Sequence, residues 1–370
     1  MVGAGQLARM THEAASALGL SLRVLATAAD DSAALVTPDV ELGRPDDLAA
    51  LQAFTKRCDV VTFDHEHVPG SHIDALVADG ATVHPGASAL RFAQDKRAMR
   101  ERLQALGVPV PAWRSVQAAS DAASLAEEVG WPLVAKAVRG GYDGRGVWVV
   151  DDVAAIDRLL ADGVELLVEQ RVPLRRELAA LVARSPSGQV VAYPVVDTVQ
   201  RDGICIEVLA PAPDVSEAVA DEARLIATGL ADRLGVVGLL AVELFDTDDG
   251  LLVNELAMRP HNSGHWTIEG SRTSQFEQHL RAVLDLPLGD TTPTAPAVVM
   301  ANVLGGAPGG PTIDERLHRL WAEDPAAKVH LYGKQPRPGR KLGHVTVVGD
   351  DPDDVRQRAR RAATWLEEGR

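Results

Sequence analysis

Through the first ninety residues, short apolar runs alternate with longer stretches whose apolar positions recur every three or four residues. Residues 21–26, 60–63 and 82–84 read as strands, and 6–18, 46–57 and 73–79 as helices. Such alternation implies a parallel sheet, and ligands of such sheets bind beyond the carboxyl ends of the strands. Residues 3–7 (GAGQL) and 64–67 (DHEH) lie at those ends. The glycine turn starts at position 3, so the strand that should feed it is almost absent: either the chain lacks that strand or it starts late. Residues 95–106 form a helix closed by Gly107, Pro109 and Pro111. A smaller unit follows, with helix 121–129, strand 133–137, a glycine loop 140–146, strand 147–150, helix 154–160 and strand 165–170. From residue 177 strands dominate, with helices at 215–234 and 274–284, a turn-rich connector at 287–296 and a second loop at 308–311. Strand 341–348 and an amphipathic helix 352–368 close the chain. The pattern divides into residues 1–93, 94–170 and 171–370, an α/β and α+β chain: an N-terminal parallel-sheet domain, a small domain and a larger C-terminal mixed-sheet domain.

The most informative pattern is a pair of apolar runs, 239–245 and 251–256, separated by Asp246-Thr247-Asp248-Asp249-Gly250. A polar turn ending in glycine between such runs predicts a hairpin. Folding it brings Glu243 opposite or nearly opposite Asn254 and Glu255. Two carboxylates and an amide oxygen then converge in apolar surroundings, where they repel and resist burial unless a hard divalent cation joins them. The polar segment that follows, Arg259 to His265, reads as a binding loop. Upstream, Lys136 ends a strand and precedes Arg139-Gly140-Gly141-Tyr142-Asp143-Gly144-Arg145-Gly146. Four glycines there allow backbone amides to approach an anion, and the lysine adds a point charge for phosphates. The spacing is not that of a P-loop. Glu169-Gln170-Arg171-Val172 ends another strand, whose backbone groups would be placed to pair with an adenine edge, with Glu177 to accept ribose hydroxyls; an exposed strand end is the alternative reading.

Composition narrows the picture. The chain has 370 residues and a net charge of −15, which disfavours nucleic acid as a partner. Against that average, the basic loop at Lys334, Arg340 and Lys341 stands out. Cys58 and Cys205 have no ligand spacing and suit a reducing cytoplasm. No apolar run approaches a membrane span, and no signal peptide is evident.

Taken together, GAGQLARM (3–10), QDK (94–96), GGYDGRG (140–146), DGI (202–204), NELAMRPHNSGHW (254–266), SQFE (274–277) and RPGRKLGH (337–344) resemble the ATP-grasp superfamily. Within it they resemble the 5-(carboxyamino)imidazole ribonucleotide synthase family of purine biosynthesis, essentially end to end. That resemblance implies an ATP-grasp fold: a pre-ATP-grasp domain, a lid, and a C-terminal domain with a substrate-binding tail. It implies a cytoplasmic, homodimeric carbon–nitrogen ligase that uses ATP and Mg2+ to join bicarbonate to 5-aminoimidazole ribonucleotide, with carboxyphosphate between.

The resemblance also implies residue roles. Lys96 and Lys136 would contact phosphates under a flap of Gly141, Tyr142, Asp143, Gly144 and Gly146. Glu169, Gln170, Val172 and Glu177 would hold adenine and ribose. Glu243 and Glu255 would bind magnesium beside Asn254. Glu66, Tyr142, Asp143, Arg259, His261, Asn262 and Ser263 would grip the ribonucleotide, and Gln6, Lys334, Arg340 and Lys341 its 5'-phosphate. Lys136, Asp143, Arg259 and His261 are the implied catalytic set. There are departures: Asp64-His65-Glu66-His67 replaces Glu-Phe-Glu-Asn, which keeps Glu66 but puts a contact by residue 64 in question, and Met258 replaces proline, with little effect expected. A formate-dependent glycinamide ribonucleotide formyltransferase, a biotin carboxylase-like enzyme and a nucleotide-binding protein without turnover are the competing expectations.

Overall fold

The computed structural model describes residues 1–141, 144–306 and 309–369. The first unit comprises α1 (Gln6–Ala17), β1 (Arg23–Ala26), β2 (Asp39–Leu42), α2 (Leu48–Thr55), α3 (Gly70–Ala78), α4 (Ala87–Gln94) and α5 (Lys96–Ala105). β1 pairs in parallel with β2, and Val2 bridges in parallel to both Leu25 and Phe63, as does Val61 to Val83. Val2 stands in the middle of this sheet: its amide donates to the Thr62 carbonyl and its carbonyl accepts from the Asp64 amide, while Met1 and Gly3 bond to Leu25 on the other side. The expected strands at 60–63 and 82–84 shrink to single bridges. β2 and α4 were not anticipated. Two of the four residues of β2 are acidic, and it borders the sheet, where Arg23 ties it down through Glu41.

The small unit comprises β3 (Trp113–Val116), α6 (Ala119–Val129), β4 (Leu133–Ala137), β5 (Val147–Val150), α7 (Val153–Ala161) and β6 (Leu166–Gln170). Its strands run in the order β3-β6-β4-β5, all antiparallel. Leu125 and Ile156 from the two helices pack on Leu133, Ala135, Leu166 and Val168 from one face of the sheet.

The remainder comprises β7 (Arg176–Arg184), β8 (Val190–Ala192), β9 (Val196–Arg201), β10 (Ile204–Ala210), α8 (Glu217–Arg233), β11 (Gly238–Thr247), β12 (Gly250–Ala257), α9 (Thr267–Gly270), α10 (Gln275–Val283), β13 (Ala297–Leu304), α11 (Ile313–Glu323), β14 (Lys328–Leu331), β15 (Lys341–Gly349) and α12 (Pro352–Glu368). Nine strands form one sheet, ordered β12-β11-β7-β9-β10-β13-β15-β14 with β8 beside β7. The sheet expected to be mixed is antiparallel in every pairing. Part of the loop expected at 308–311 lies outside the described residues.

Both faces of β7 and β11 are covered, which accounts for their nearly unbroken apolar sequence. Leu178, Ala180, Val182, Leu240 and Val242 join the core shared with the first unit and α8, while Ala179, Leu181, Leu239 and Ala241 pack towards Trp266. The hairpin is tighter than expected: Thr247 already pairs with Gly250, so only Asp248 and Asp249 turn the chain, and Gly250 takes φ +117°. Contacts across the units close the arrangement, among them Ser32 Oγ donating to the Tyr332 carbonyl at 2.6 Å and Thr62 Oγ1 lying 2.8 Å from His279 Nε2.

Candidate active site

A cleft of about 1530 Å³ opens where the three units meet. The β11–β12 hairpin forms its acidic wall. Glu243 pairs directly with Glu255, and the next pair is Leu244 with Val253, so Asn254 is the extra residue of a β-bulge. On a regular strand, neighbours point to opposite faces; the bulge turns Asn254 towards the same side as Glu255. Asn254 Nδ2 lies 3.4 Å from Glu243 Oε2, and its Oδ1 accepts from Lys136 Nζ at 2.9 Å. Glu255 Oε1 accepts from Lys96 Nζ at 2.8 Å.

Burial, then the neighbouring carboxylates of Glu255 and Glu177, push Glu243 up to about 7. Burial also raises Glu177. A magnesium ion fits this wall on chemical grounds: facing carboxylates that resist ionisation together, with an amide oxygen beside them. Among the described residues, no three His, Cys, Asp or Glu side chains form a complete metal cage. The remaining ligands would therefore be phosphate oxygens and water, the usual arrangement for magnesium with a nucleotide.

Opposite the acidic wall, β4 presents Lys136 and β6 presents Glu169. Glu169 Oε2 lies 2.6 Å from Lys136 Nζ, and Oε1 accepts from Arg100 Nε at 2.6 Å. Burial would raise this carboxyl, but Lys136 and Arg100 outweigh it and hold it at about 2. With its side chain so engaged, any hold on adenine and ribose would fall to residues 170–172 and Glu177. The flap leaves β4 through Arg139, which pairs with Asp95, the cap of α5. Gly144 then lies on Gly203 in the β9–β10 turn: a Cβ at Gly203, itself at φ +75°, would stand 2.8 Å from Gly144 Cα.

The loop after β12 is clamped by Gln275. Its Oε1 accepts from the His261 amide at 2.8 Å, and its Nε2 donates to the His261 carbonyl at 2.8 Å and to His265 Nδ1 at 2.9 Å. A Cβ at Gly264 would meet that same Oε1 at 2.4 Å, so no larger residue fits there. His261 Nδ1 lies 2.9 Å from Ser263 Oγ and 3.3 Å from the Ser263 amide, and its Nε2 lies 3.6 Å from Glu243 Oε1. Burial, helped by Arg259 and Lys341, holds His261 well below the usual histidine range, so it is neutral at pH 7. Arg259 Nε donates to Glu66 Oε2 at 2.8 Å.

Known proteins resemble this chain along nearly its whole length. Residues 1–94 match the ribonucleotide synthetase preATP-grasp domain, 101–276 the ATP-grasp domain, and 298–358 the phosphoribosylaminoimidazole carboxylase C-terminal domain. The N5-carboxyaminoimidazole ribonucleotide synthase of Mycobacterium tuberculosis is 61% identical over 376 residues, covering 100% of this chain and 88% of that protein. The chain belongs to the N5-carboxyaminoimidazole ribonucleotide synthase family. It is an ATP-grasp ligase of purine biosynthesis. The corresponding enzyme of Corynebacterium ammoniagenes is 48% identical, covering 99% of this chain and 91% of that one. Two crystal structures share the fold. The Thermus thermophilus synthetase has a TM-score of 0.88 at 37% identity, covering 100% of this chain and 99% of its own. The Aspergillus clavatus synthase, in complex with ADP and 5-aminoimidazole ribonucleotide, has a TM-score of 0.89 at 32% identity, covering 99% and 98%.

Of the residues expected from the family, Gln6, Glu66, Lys96, Lys136, Gly141, Gly144, Glu169, Gln170, Val172, Glu177, Glu243, Asn254, Glu255, Arg259, His261, Asn262 and Lys341 line the cleft. Ser263 is buried beneath His261, and Gly146, Lys334 and Arg340 stand outside the lining. Lys334 nonetheless reaches Gln6, so the tail and the start of α1 meet. Tyr142 and Asp143 lie outside the described residues.

Sequence reasoning missed several supports. Asp64 accepts from the Gly5 and Ala8 amides at 2.8 and 2.7 Å and so caps α1 from another segment. Gln94 Nε2 donates to the Glu66 and Val68 carbonyls at 2.8 and 2.6 Å. Gln275 was marked only as part of the SQFE motif, with no role, and Arg100 was unmarked. The signal for Arg100 was present: it stands four residues after Lys96 on the same face of α5.

Proposed function

We propose that this chain joins bicarbonate to the 5-amine of 5-aminoimidazole ribonucleotide, with cleavage of ATP to ADP and phosphate. The observation that carries the reading is the convergence of Lys96, Lys136, Glu243 and Glu255 in one cleft with the loop Arg259–His261–Asn262. A bicarbonate oxygen attacks the γ-phosphorus and the bond to ADP breaks, giving carboxyphosphate. The amine nitrogen then attacks its carboxyl carbon, phosphate departs, and the nitrogen loses a proton. When bound at Glu243 and Glu255, magnesium supplies positive charge to the nucleotide phosphates. Lys136 and Lys96 point their ammonium groups at the same region, in place before charge develops there. Neutral His261, whose Nε2 faces Glu243, and Asp143 are the two groups we assign to the amine proton and the carboxyl oxygen. Glu66 orients Arg259 towards the ribonucleotide, while Gln6, Lys334 and Lys341 gather positive charge and an amide for its 5'-phosphate, to which we add Arg340 of the same basic loop. The flap excludes water from carboxyphosphate by seating on the β9–β10 turn.

The working form is a cytoplasmic homodimer, which sedimentation checks. No helix of the described residues is long and apolar enough to cross a membrane. ADP release should require both bicarbonate and 5-aminoimidazole ribonucleotide. Release driven equally by formate with glycinamide ribonucleotide would overturn the assignment. Glu255→Gln should abolish ATP cleavage while ribonucleotide binding persists.

A further inference from the structure

Arg100 is the largest charged side chain wholly withdrawn from solvent, at 0% exposure, and nothing in the proposed chemistry touches it. Its Nε donates to Glu169 Oε1 at 2.6 Å, and its Nη2 donates to the Asn254 carbonyl at 2.8 Å. Asn254 is the bulged residue, whose main chain falls out of register with β11. Beyond these two acceptors the path continues: Glu169 Oε2 to Lys136 Nζ at 2.6 Å, and Lys136 Nζ to Asn254 Oδ1 at 2.9 Å. One guanidinium therefore grips both anchors of the same lysine, Glu169 by its carboxylate and Asn254 by its backbone. A single fork with fixed angles can set that spacing; an ammonium cannot.

We propose that Arg100 is a positioning residue that acts through Glu169 and Asn254 to hold Lys136 at the phosphate-binding end of the cleft. The charges give it a second effect. Arg100 and Glu169 cancel, so Lys136 presents a full positive charge to the nucleotide. Without Arg100, the buried carboxylate turns on Lys136 alone and neutralises it. The chain of contacts also binds α5, the small unit and the hairpin into one frame, with Lys96 on the same helix holding Glu255.

The inference deepens the ATP-dependent reading and rests on it. The two fail separately: that reading is judged on ADP release by the unaltered protein, the role of Arg100 on ratios between variants. Arg100→Met should lower kcat about a hundredfold, the usual scale for losing one preorganised charge contact, with the KM for 5-aminoimidazole ribonucleotide nearly unchanged. Adding Glu169→Gln to Arg100→Met removes the uncompensated carboxylate, and kcat should recover at least about tenfold over the single variant. A role confined to packing predicts the opposite, since the double variant would then be at least as impaired. Failure of the double variant to recover, or near-normal kcat in Arg100→Met, overturns the proposal. Should Arg100→Met not fold, Arg100→Lys keeps the charge but reaches only one of the two acceptors, and its kcat should fall about tenfold; an unchanged kcat there also overturns it.

Discussion

Glu243→Gln should stabilise the metal-free protein while destroying its activity. The carboxyl is raised to about 7 by burial and by Glu255 and Glu177, whereas in the unfolded chain it titrates near 4.5. Between these values the folded state binds the proton more tightly than the unfolded one. Stability from this group is therefore complete below about pH 4.5 and is lost as pH rises through 7. Forcing the carboxylate to ionise in place costs about 3 kcal/mol at 1.36 kcal/mol per pH unit. The side chain keeps 29% of its exposure along the cleft, and solvent screening brings the working figure to about 2 kcal/mol. Glutamine keeps the shape and omits the charge. At pH 8 in the presence of a chelator, the variant should melt about 3–4 °C above the parent. Near pH 5 the gap should shrink to about 1 kcal/mol or less. Magnesium with ADP should stabilise the parent strongly and the variant little, because the ion relieves the repulsion that the substitution has already removed. Differential scanning fluorimetry across pH 5–8 reads all of this. If the variant were less stable than the parent at pH 8 without metal, or were stabilised equally by magnesium with ADP, the electrostatic account of the acidic wall would be wrong.

Other substitutions probe the rest of the site. Gly203→Ala places a methyl against Gly144 at a position with φ +75°, so the flap should fail to seat. Phosphate release should then exceed carboxylated product severalfold, and a ratio that stayed at one would refute the latch. Arg340→Ala and Lys334→Ala should raise the ribonucleotide KM about tenfold with kcat little changed; an equal fall in kcat would place them in the chemical step. Burial holds His279 at about 3, against 6.5 when unfolded, so its contribution to stability is present above pH 6.5 and lost as pH falls towards 3, about 2 kcal/mol by pH 5. His279→Gln should flatten the dependence of the urea midpoint on pH between 4 and 6, and an unchanged slope would show that the histidine is not buried neutral.

The hairpin with its facing glutamates, the glycine loop after β4 and the polar loop after β12 were legible in the chain because each is local, whereas β2, α4 and α11 were not. Apolar periodicity, a turn of set chemistry and glycine spacing act over a few residues. Strand 133–137 and helix 352–368 emerge with those very bounds. Tertiary structure decided what local pattern could not encode. The β-bulge that turns Asn254 and Glu255 to one side depends on pairing with β11. The commitment of Glu169 to Lys136 depends on an arginine 69 residues away. The capping of α1 depends on Asp64, which another segment delivers. A buried charge finds its partner wherever the fold delivers one, and that partner's distance along the chain carries no periodic signal. The residues we propose to touch substrate stand in motifs, while the contacts that hold them in place became visible only once the three units met.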